Sequence, residues 1–222
     1  VSTEVISKFP ATFKLAVTAM LIAVIIGIPI GIISAVKQYT IIDTVSLISS
    51  LIMTSMPGFW LGLMLILVFA LKLDLFPVTG GDTWMHYVLP SVTLAASTMA
   101  ILIRMTRSTM LEVIRQDYIR TAKSKGSGES RIIFKHALRN ALLPIVTVIG
   151  IAVQLGGSMI IENVFAIPGV GSLMIEAVKM KNTPVVLASV IFVALLGGLV
   201  NLAVDILYMY IDPRLRSQYV KG

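Results

Sequence analysis

The chain has 222 residues, of which 57% are hydrophobic and only 13% are charged, and its mean hydropathy is +0.94. A soluble domain of this length could not bury so much apolar surface in one core, so the composition excludes a soluble protein and favours a bilayer. The net charge is +7, and there is no cysteine, which excludes disulfides and thiolate metal sites.

Five apolar stretches approach the roughly 20 residues that a helix needs to cross about 30 Å of hydrocarbon. They are residues 11–36, 44–71, 89–110, 142–164 and 184–210. A transmembrane barrel would show strands of alternating polarity, and runs such as AMLIAVIIGIPIGIISAV do not alternate. We therefore predict an all-α fold: a polytopic membrane helix bundle with five spans, forming one domain over residues 1–222.

The first two predicted spans contain residues that either allow close packing of another helix or interrupt the helix. Gly27 and Gly31 have a spacing that lets another helix approach closely, and Pro57 and Gly58 interrupt the second span. The interruption is either a kink that neighbouring helices tolerate or a flexible wall of a translocation path. In the second case, the path residues are Ser55, Met56, Pro57, Trp60, Ser97, Met99 and Gln154.

Residues 112–143 form a basic segment after the third span. From the residue just before this segment onward, apolar or small residues recur at helical spacing, first at Leu111, Ile114, Tyr118 and Ala122, and then at Ile132, Ile133 and Leu138. Gly126 and Gly128 separate the two runs, which predicts two amphipathic helices joined by a tight turn. A solvated basic loop held by anionic lipid is the alternative, but two regular apolar faces favour a docking surface for another protein.

The positions of Lys and Arg predict the orientation of the bundle, since these residues concentrate in short cytoplasmic loops. If the first span runs from outside to inside, 13 of the 18 lie on the inner side and only Lys8, Lys14, Lys72, Lys179 and Lys181 lie outside. The basic segment and the C-terminus are then cytoplasmic. Nucleic-acid binding is disfavoured, because these cations flank membrane spans and lack interleaved aromatic residues.

Two acidic residues lie in or near the predicted spans. Glu162 is placed at an outer end, and Asp205 lies near the inner end of the last span, where it could pair with Arg214 or Arg216 or serve in transport. After Glu162, the apolar residues Val170, Leu173 and Met174 are predicted to pack back against the bundle. A proton-coupled carrier usually has acids deep in its spans, so it is a minor alternative.

Motifs for catalysis or nucleotide binding are missing from the sequence. His86 and His136 are the only histidines, and the predicted topology puts them on opposite sides of the membrane. There is no nucleotide-phosphate loop, zinc-protease motif or serine-hydrolase motif. We therefore predict that the chain is not an enzyme and that the energy for any transport comes from another chain.

The basic segment, YIRTAKSKGSGESRIIFKHALRNALLPIVT, resembles the cytoplasmic EAA loop of ABC importer permeases in the dipeptide, oligopeptide or nickel branch. That branch reads Arg-Thr-Ala-x-x-Lys-Gly and then His-Ala-Leu-Arg-Asn-Ala-Leu-Leu-Pro. Residues Arg120, Thr121, Ala122, Lys125 and Gly126 match, as does the whole run 136–144. Further matches are PGFW, VFAIPGVGSLMIEAV and NLAVDILYMYIDPRLR, so the resemblance covers nearly the whole chain.

The resemblance implies a permease subunit of the cell inner membrane that works beside a second permease, which is expected to be a related but distinct chain. Two ABC ATPase subunits would hold ATP and Mg, and an extracytoplasmic binding protein would deliver the peptide or nickel substrate. The permease itself would hold no metal or other cofactor. Such families usually have six spans, so the chain, which begins at Val1, is expected to lack the first.

The resemblance also assigns roles within the loop. The residues expected to couple to the ATPase are Arg120, Thr121, Ala122, Lys123, Ser124, Lys125 and Gly126. Those expected to anchor the loop beneath the spans are Ile132, Ile133, His136, Leu138, Arg139 and Asn140. No residue distinguishes a peptide from nickel as the substrate, although the lack of Cys and of paired His in the spans argues against a metal site.

Overall fold

The computed structural model describes residues 1–80, 83–152 and 158–211, and the regular elements within these ranges are all helices. In chain order they are α1 (Ser2–Val36), α2 (Ile41–Ser55), α3 (Gly58–Leu65), α4 (Met85–Ile114), α5 (Asp117–Ser124), α6 (Glu129–Arg131), α7 (Arg139–Ala152), α8 (Ser158–Val164), α9 (Val170–Lys179) and α10 (Thr183–Ile211). Helices α3 and α6 each continue into a π-helical segment, Ile66–Lys72 and Ile132–Leu138. The all-α prediction is confirmed.

In the described part of the chain, three helices, α1, α4 and α10, are each long and apolar enough to cross a membrane. Two bent pairs raise the number of candidate spans to five: Ile41–Ser55 with Gly58–Lys72, and Glu129–Leu142 with Pro144–Gly150. The predicted fourth span, 142–164, includes residues 153–157, which lie outside the described residues. The count of three to five spans agrees with the five predicted from hydropathy.

The second predicted span is two separate helices, which meet at 102°. Met56 is extended, with ψ 127°, and Pro57 follows with φ −59° and ψ 133°. Proline lacks an N–H and disfavours helical backbone in the residue before it, so the helix ends there and a new one starts at Gly58. The interruption predicted from the sequence is therefore a full break.

Helices α1 and α4 run parallel and pack closely along much of their length. Thr18 and Ser91 share a hydrogen bond of 2.6 Å, and further along α1 both Gly27 and Gly31 are buried against α4. A Cβ atom on Gly31 would lie 2.6 Å from the Thr106 Cβ. The two glycines therefore let the backbones approach to a separation that larger residues would prevent.

The far end of the bundle, away from the basic segment, contains a smaller apolar cluster. Val5 of α1, Val170 and Leu173 of α9 and Val185 of α10 are all buried there. Helix α9 thus packs back against the bundle through Val170 and Leu173, as predicted, while Met174 is partly buried.

We expect Gly31→Ala to destabilise the bundle, because the new methyl group would meet both Thr106 and the Ile103 carbonyl oxygen, 2.8 Å away. Overpacking of this kind costs about 1–3 kcal/mol, which thermal unfolding in detergent would detect as a lower melting temperature. The matched control is Gly197→Ala in α10, where a Cβ meets nothing within 4 Å. Equal melting temperatures for the two variants would contradict the packing.

Candidate coupling loop and translocation path

The basic segment begins in the last turn of α4. The chain turns at Arg115 and Gln116, and the new helix α5 starts at Asp117. Ile119, which is fully buried, is the residue that holds α5 against the bundle, whereas Tyr118 is 45% exposed. Leu111, Ile114 and Ala122 of the predicted apolar face do pack against the buried core. Only the placement of Tyr118 on that face is wrong, because the helix breaks between α4 and α5.

A glycine turn separates α5 from α6. Gly126 has φ +78°, a left-handed conformation that costs other residues about 1 kcal/mol or more. The Gly126 N–H donates to the Lys123 carbonyl (2.9 Å) and the Ser127 N–H donates to the Ala122 carbonyl (3.2 Å), which satisfies the end of the helix. The tight turn predicted between two helices is present.

The side of the segment that faces the bundle belongs to the main apolar cluster. Ile132 and Ala137 are buried there together with Met110 of α4, and Ile133 and Leu138 pack at its edge. Of the other predicted anchoring residues, His136 is partly buried, whereas Arg139 and Asn140 are exposed.

A hydrogen bond also joins the two halves of the segment. The Asn140 amide donates to the Tyr118 hydroxyl (3.1 Å) and to the His136 carbonyl (2.7 Å). The exposed side chain of Tyr118 therefore connects α5 to α7 rather than filling the core.

The opposite side of the segment is exposed and basic. The predicted coupling residues Arg120, Thr121, Lys123, Ser124, Lys125 and Gly126 are all exposed, and Ala122 is partly buried. Arg120 lies 3.7 Å from Asp117, but both side chains are solvated, so this pair adds little stability. The segment therefore presents a cationic surface to solvent, while its other side packs against the bundle. Because α5 begins at Asp117 and the π-helical segment ends at Leu138, we narrow the predicted coupling loop, residues 112–143, to residues 117–138. We call the end of the bundle that carries it the loop end.

The predicted path residues that the structure describes lie either around the break between α2 and α3 or on α4. Ser55, Met56, Pro57 and Trp60 surround the break between α2 and α3, and Trp60 is 43% exposed. Ser97 is exposed one turn after Thr93 of α4, and Thr93 lies against Gly62 of α3.

The two remaining path residues are placed differently. Met99 packs into the main cluster, and its backbone lies against Gly27 of α1. Gln154 lies outside the described residues.

Sequence reasoning missed a buried ion pair at the loop end. Asp43, in the first turn of α2, is 3% exposed. The Arg107 Nε donates to its Oδ1 at 2.6 Å, and the Arg107 Nη2 donates to its Oδ2 at 2.8 Å. The available signal was that Arg107 lies inside the predicted third span and Asp43 directly precedes the second, since charged residues at such places pair. The sequence does not indicate which partners meet.

A second buried carboxylate lies at the far end. Glu162 of α8 is fully buried, and its Oε2 accepts the Ser172 N–H of α9 at 3.1 Å. Beside it, the Thr12 hydroxyl of α1 accepts the Val170 N–H at 2.8 Å. Two side chains thus hold the first turn of α9, where a carboxylate also complements the helix dipole.

The last acidic candidate, Asp205, is exposed on α10. Its suggested partners Arg214 and Arg216 lie outside the described residues.

Comparison with known proteins identifies the family. Residues 27–217 match the family described as binding-protein-dependent transport system inner membrane component. The chain is 43% identical to the glutathione transport system permease protein GsiC of Pectobacterium atrosepticum and 42% identical to that of Escherichia coli strain K12. Each match covers 97% of this chain and 71% of the relative.

Similar solved structures support the same fold. The MetNI methionine ABC transporter, in an inward-facing crystal form, contains a chain that matches with a TM-score of 0.79 at 20% identity. The match covers 94% of this chain and 96% of the other. The protein belongs to the binding-protein-dependent transport system inner membrane component family, as a permease subunit of an ABC importer.

Proposed function

We propose that this permease imports peptides into the cytoplasm, using ATP hydrolysed by separate ATPase subunits. The loop end of the bundle faces the cytoplasm, and the far end receives substrate from an extracytoplasmic binding protein. A second, related permease completes the path. This chain binds no cofactor of its own, and ATP and Mg are held by the ATPase pair.

The coupling loop is the observation that carries this proposal. Its apolar side is part of the main core, whereas Arg120, Lys123 and Lys125 project from the opposite side. A segment that only contacted lipid headgroups would not need to pack against the core of the bundle. A cationic surface that is rigidly attached to the bundle can transmit the movement of a bound partner to the permease. An ATPase subunit is a partner of this kind.

The choice of substrate rests on the relatives. Glutathione is a small peptide, and the GsiC relatives are named as permeases of a glutathione transport system. They are 42–43% identical to this chain. Trp60 and the polar Ser55 are exposed at the break between α2 and α3, and Ser97 is exposed on α4. A path walled by such residues is weakly selective, which suits a system in which the binding protein selects the peptide.

Uptake by the reconstituted complex tests this function. Liposomes that contain both permeases and the ATPase pair, supplied with the binding protein, should accumulate labelled glutathione or dipeptide only when ATP is enclosed on the loop side. The control replaces ATP with a non-hydrolysable analogue, and competition with nickel tests the other substrate of the branch. Uptake that continues without ATP would mean an independent carrier.

A second prediction concerns Gly126. Proline fixes φ near −65°, so Gly126→Pro cannot keep the observed φ of +78° and also removes the N–H donated to Lys123. We expect this variant to insert and assemble while losing most ATP-driven uptake, because the coupling loop is reshaped. The measurement is uptake per complex in liposomes.

Gly128→Pro is the matched control, since Gly128 already has φ −61° and ψ 148°, which suit proline. Normal uptake by the Gly126 variant, or an equal loss in both variants, would speak against a role for the turn geometry.

A further inference from the structure

One buried carboxylate joins three elements at the loop end. Besides the two bonds from Arg107 of α4, Asp43 accepts the Ser34 hydroxyl of α1 at 2.6 Å and the Tyr39 N–H at 3.0 Å. Four donors therefore converge on its two oxygens, which satisfies a charge buried among apolar helices. Charged groups so placed inside a membrane protein are more often functional than incidental.

The turn between α1 and α2 depends on the same carboxylate. Tyr39 has φ +64°, a left-handed conformation that a residue with a side chain adopts at a cost. Its N–H donates to Asp43, which holds the turn in that conformation. Arg115, at the end of α4, also reaches this turn, with its Nη2 3.4 Å from the Gln38 side-chain oxygen.

The rest of the interface between α2 and α4 contains few side chains that would fix one helix to the other. Apart from Asp43, the buried residues of α2 are Ser46 and Ser50. Their hydroxyls bond to carbonyls of their own helix, at Ile42 (2.7 Å) and Leu47 (2.8 Å). Small side chains that bond within α2 leave the surface smooth, so the ion pair is the directional link between these helices among the described residues.

Both helices are placed to transmit a displacement. The coupling loop starts three residues after the last residue of α4, and Arg107 lies seven residues before that last residue. On the other side of the ion pair, α2 continues without a break to Ser55, about 18 Å from Asp43 at the helical rise. A displacement of Asp43 would therefore move α2 as a unit and displace the break at Pro57, beside the proposed path.

We propose that the Asp43–Arg107 ion pair is the joint through which movement of the coupling loop reaches α2 and the broken span. Asp43 and Arg107 are positioning residues: they touch no substrate, but they set how much of each ATP-driven movement opens the path. This inference rests on the proposed function, because it assumes that the loop receives movement from an ATPase.

The test measures ATP hydrolysed per peptide imported by the full complex in liposomes. The main variant is the double substitution Asp43→Asn with Arg107→Gln, which removes the link without leaving one charge buried and unpaired. We expect normal assembly and a near-normal melting temperature, with an increase of about tenfold in ATP per peptide. Arg107→Lys, which keeps the charge but loses the two-point contact, should give an intermediate ratio.

Arg115→Gln is the control, since it removes only the weaker and exposed contact at the same turn, and its ratio should equal that of the wild type. A wild-type ratio in the double variant would overturn the joint. Should the double variant fail to assemble, an unchanged ratio in Arg107→Lys would overturn it instead. A wild-type complex that imports no peptide would refute the proposed function itself, and the joint with it.

Discussion

Close contact between α1 and α4 is the constraint on which the described bundle depends. Gly27 and Gly31 present no side chain to α4, so the backbone of α1 lies directly against Leu102, Ile103 and Thr106. This packing sets the height of α1 relative to α4. It thereby brings Ser34 and Arg107 to the same level, where one carboxylate can accept from both. In lipid, where apolar burial gives little preference for one helix pair over another, such contacts and polar links decide the arrangement.

The same core extends into the coupling loop. Ile119, Ile132 and Ala137 are buried in one cluster with Ala23 of α1 and Leu102 of α4. The coupling loop is therefore part of the packed bundle rather than a flexible connection. At the far end, Glu162 and Thr12 fix the start of α9 in a comparable way. The break between α2 and α3 lies between these two fixed ends, which makes it the natural place for the bundle to change shape.

Much of this architecture could be predicted from the sequence, because long apolar runs, glycine turns and prolines act locally. The break at Pro57 and the turn at Gly126 follow from the backbone limits of those residues alone. The burial of Ile119 could not be predicted, since it depends on a helix end at Arg115 that no glycine or proline marks. The link between Asp43 and Arg107 was equally hidden, because 64 residues separate the partners and only the packing of three helices brings them together.

The proposed function requires that the cationic side of the coupling loop docks an ATPase subunit. The most direct measurement is co-purification of the ATPase with the full-length permease after Arg120, Lys123 and Lys125 are all changed to Glu. The matched control changes Lys179 and Lys181, exposed cations at the far end, to Glu. We expect the ATPase to be lost only from the loop variant. Equal recovery from both variants would contradict it, and the contact would have to lie on another surface.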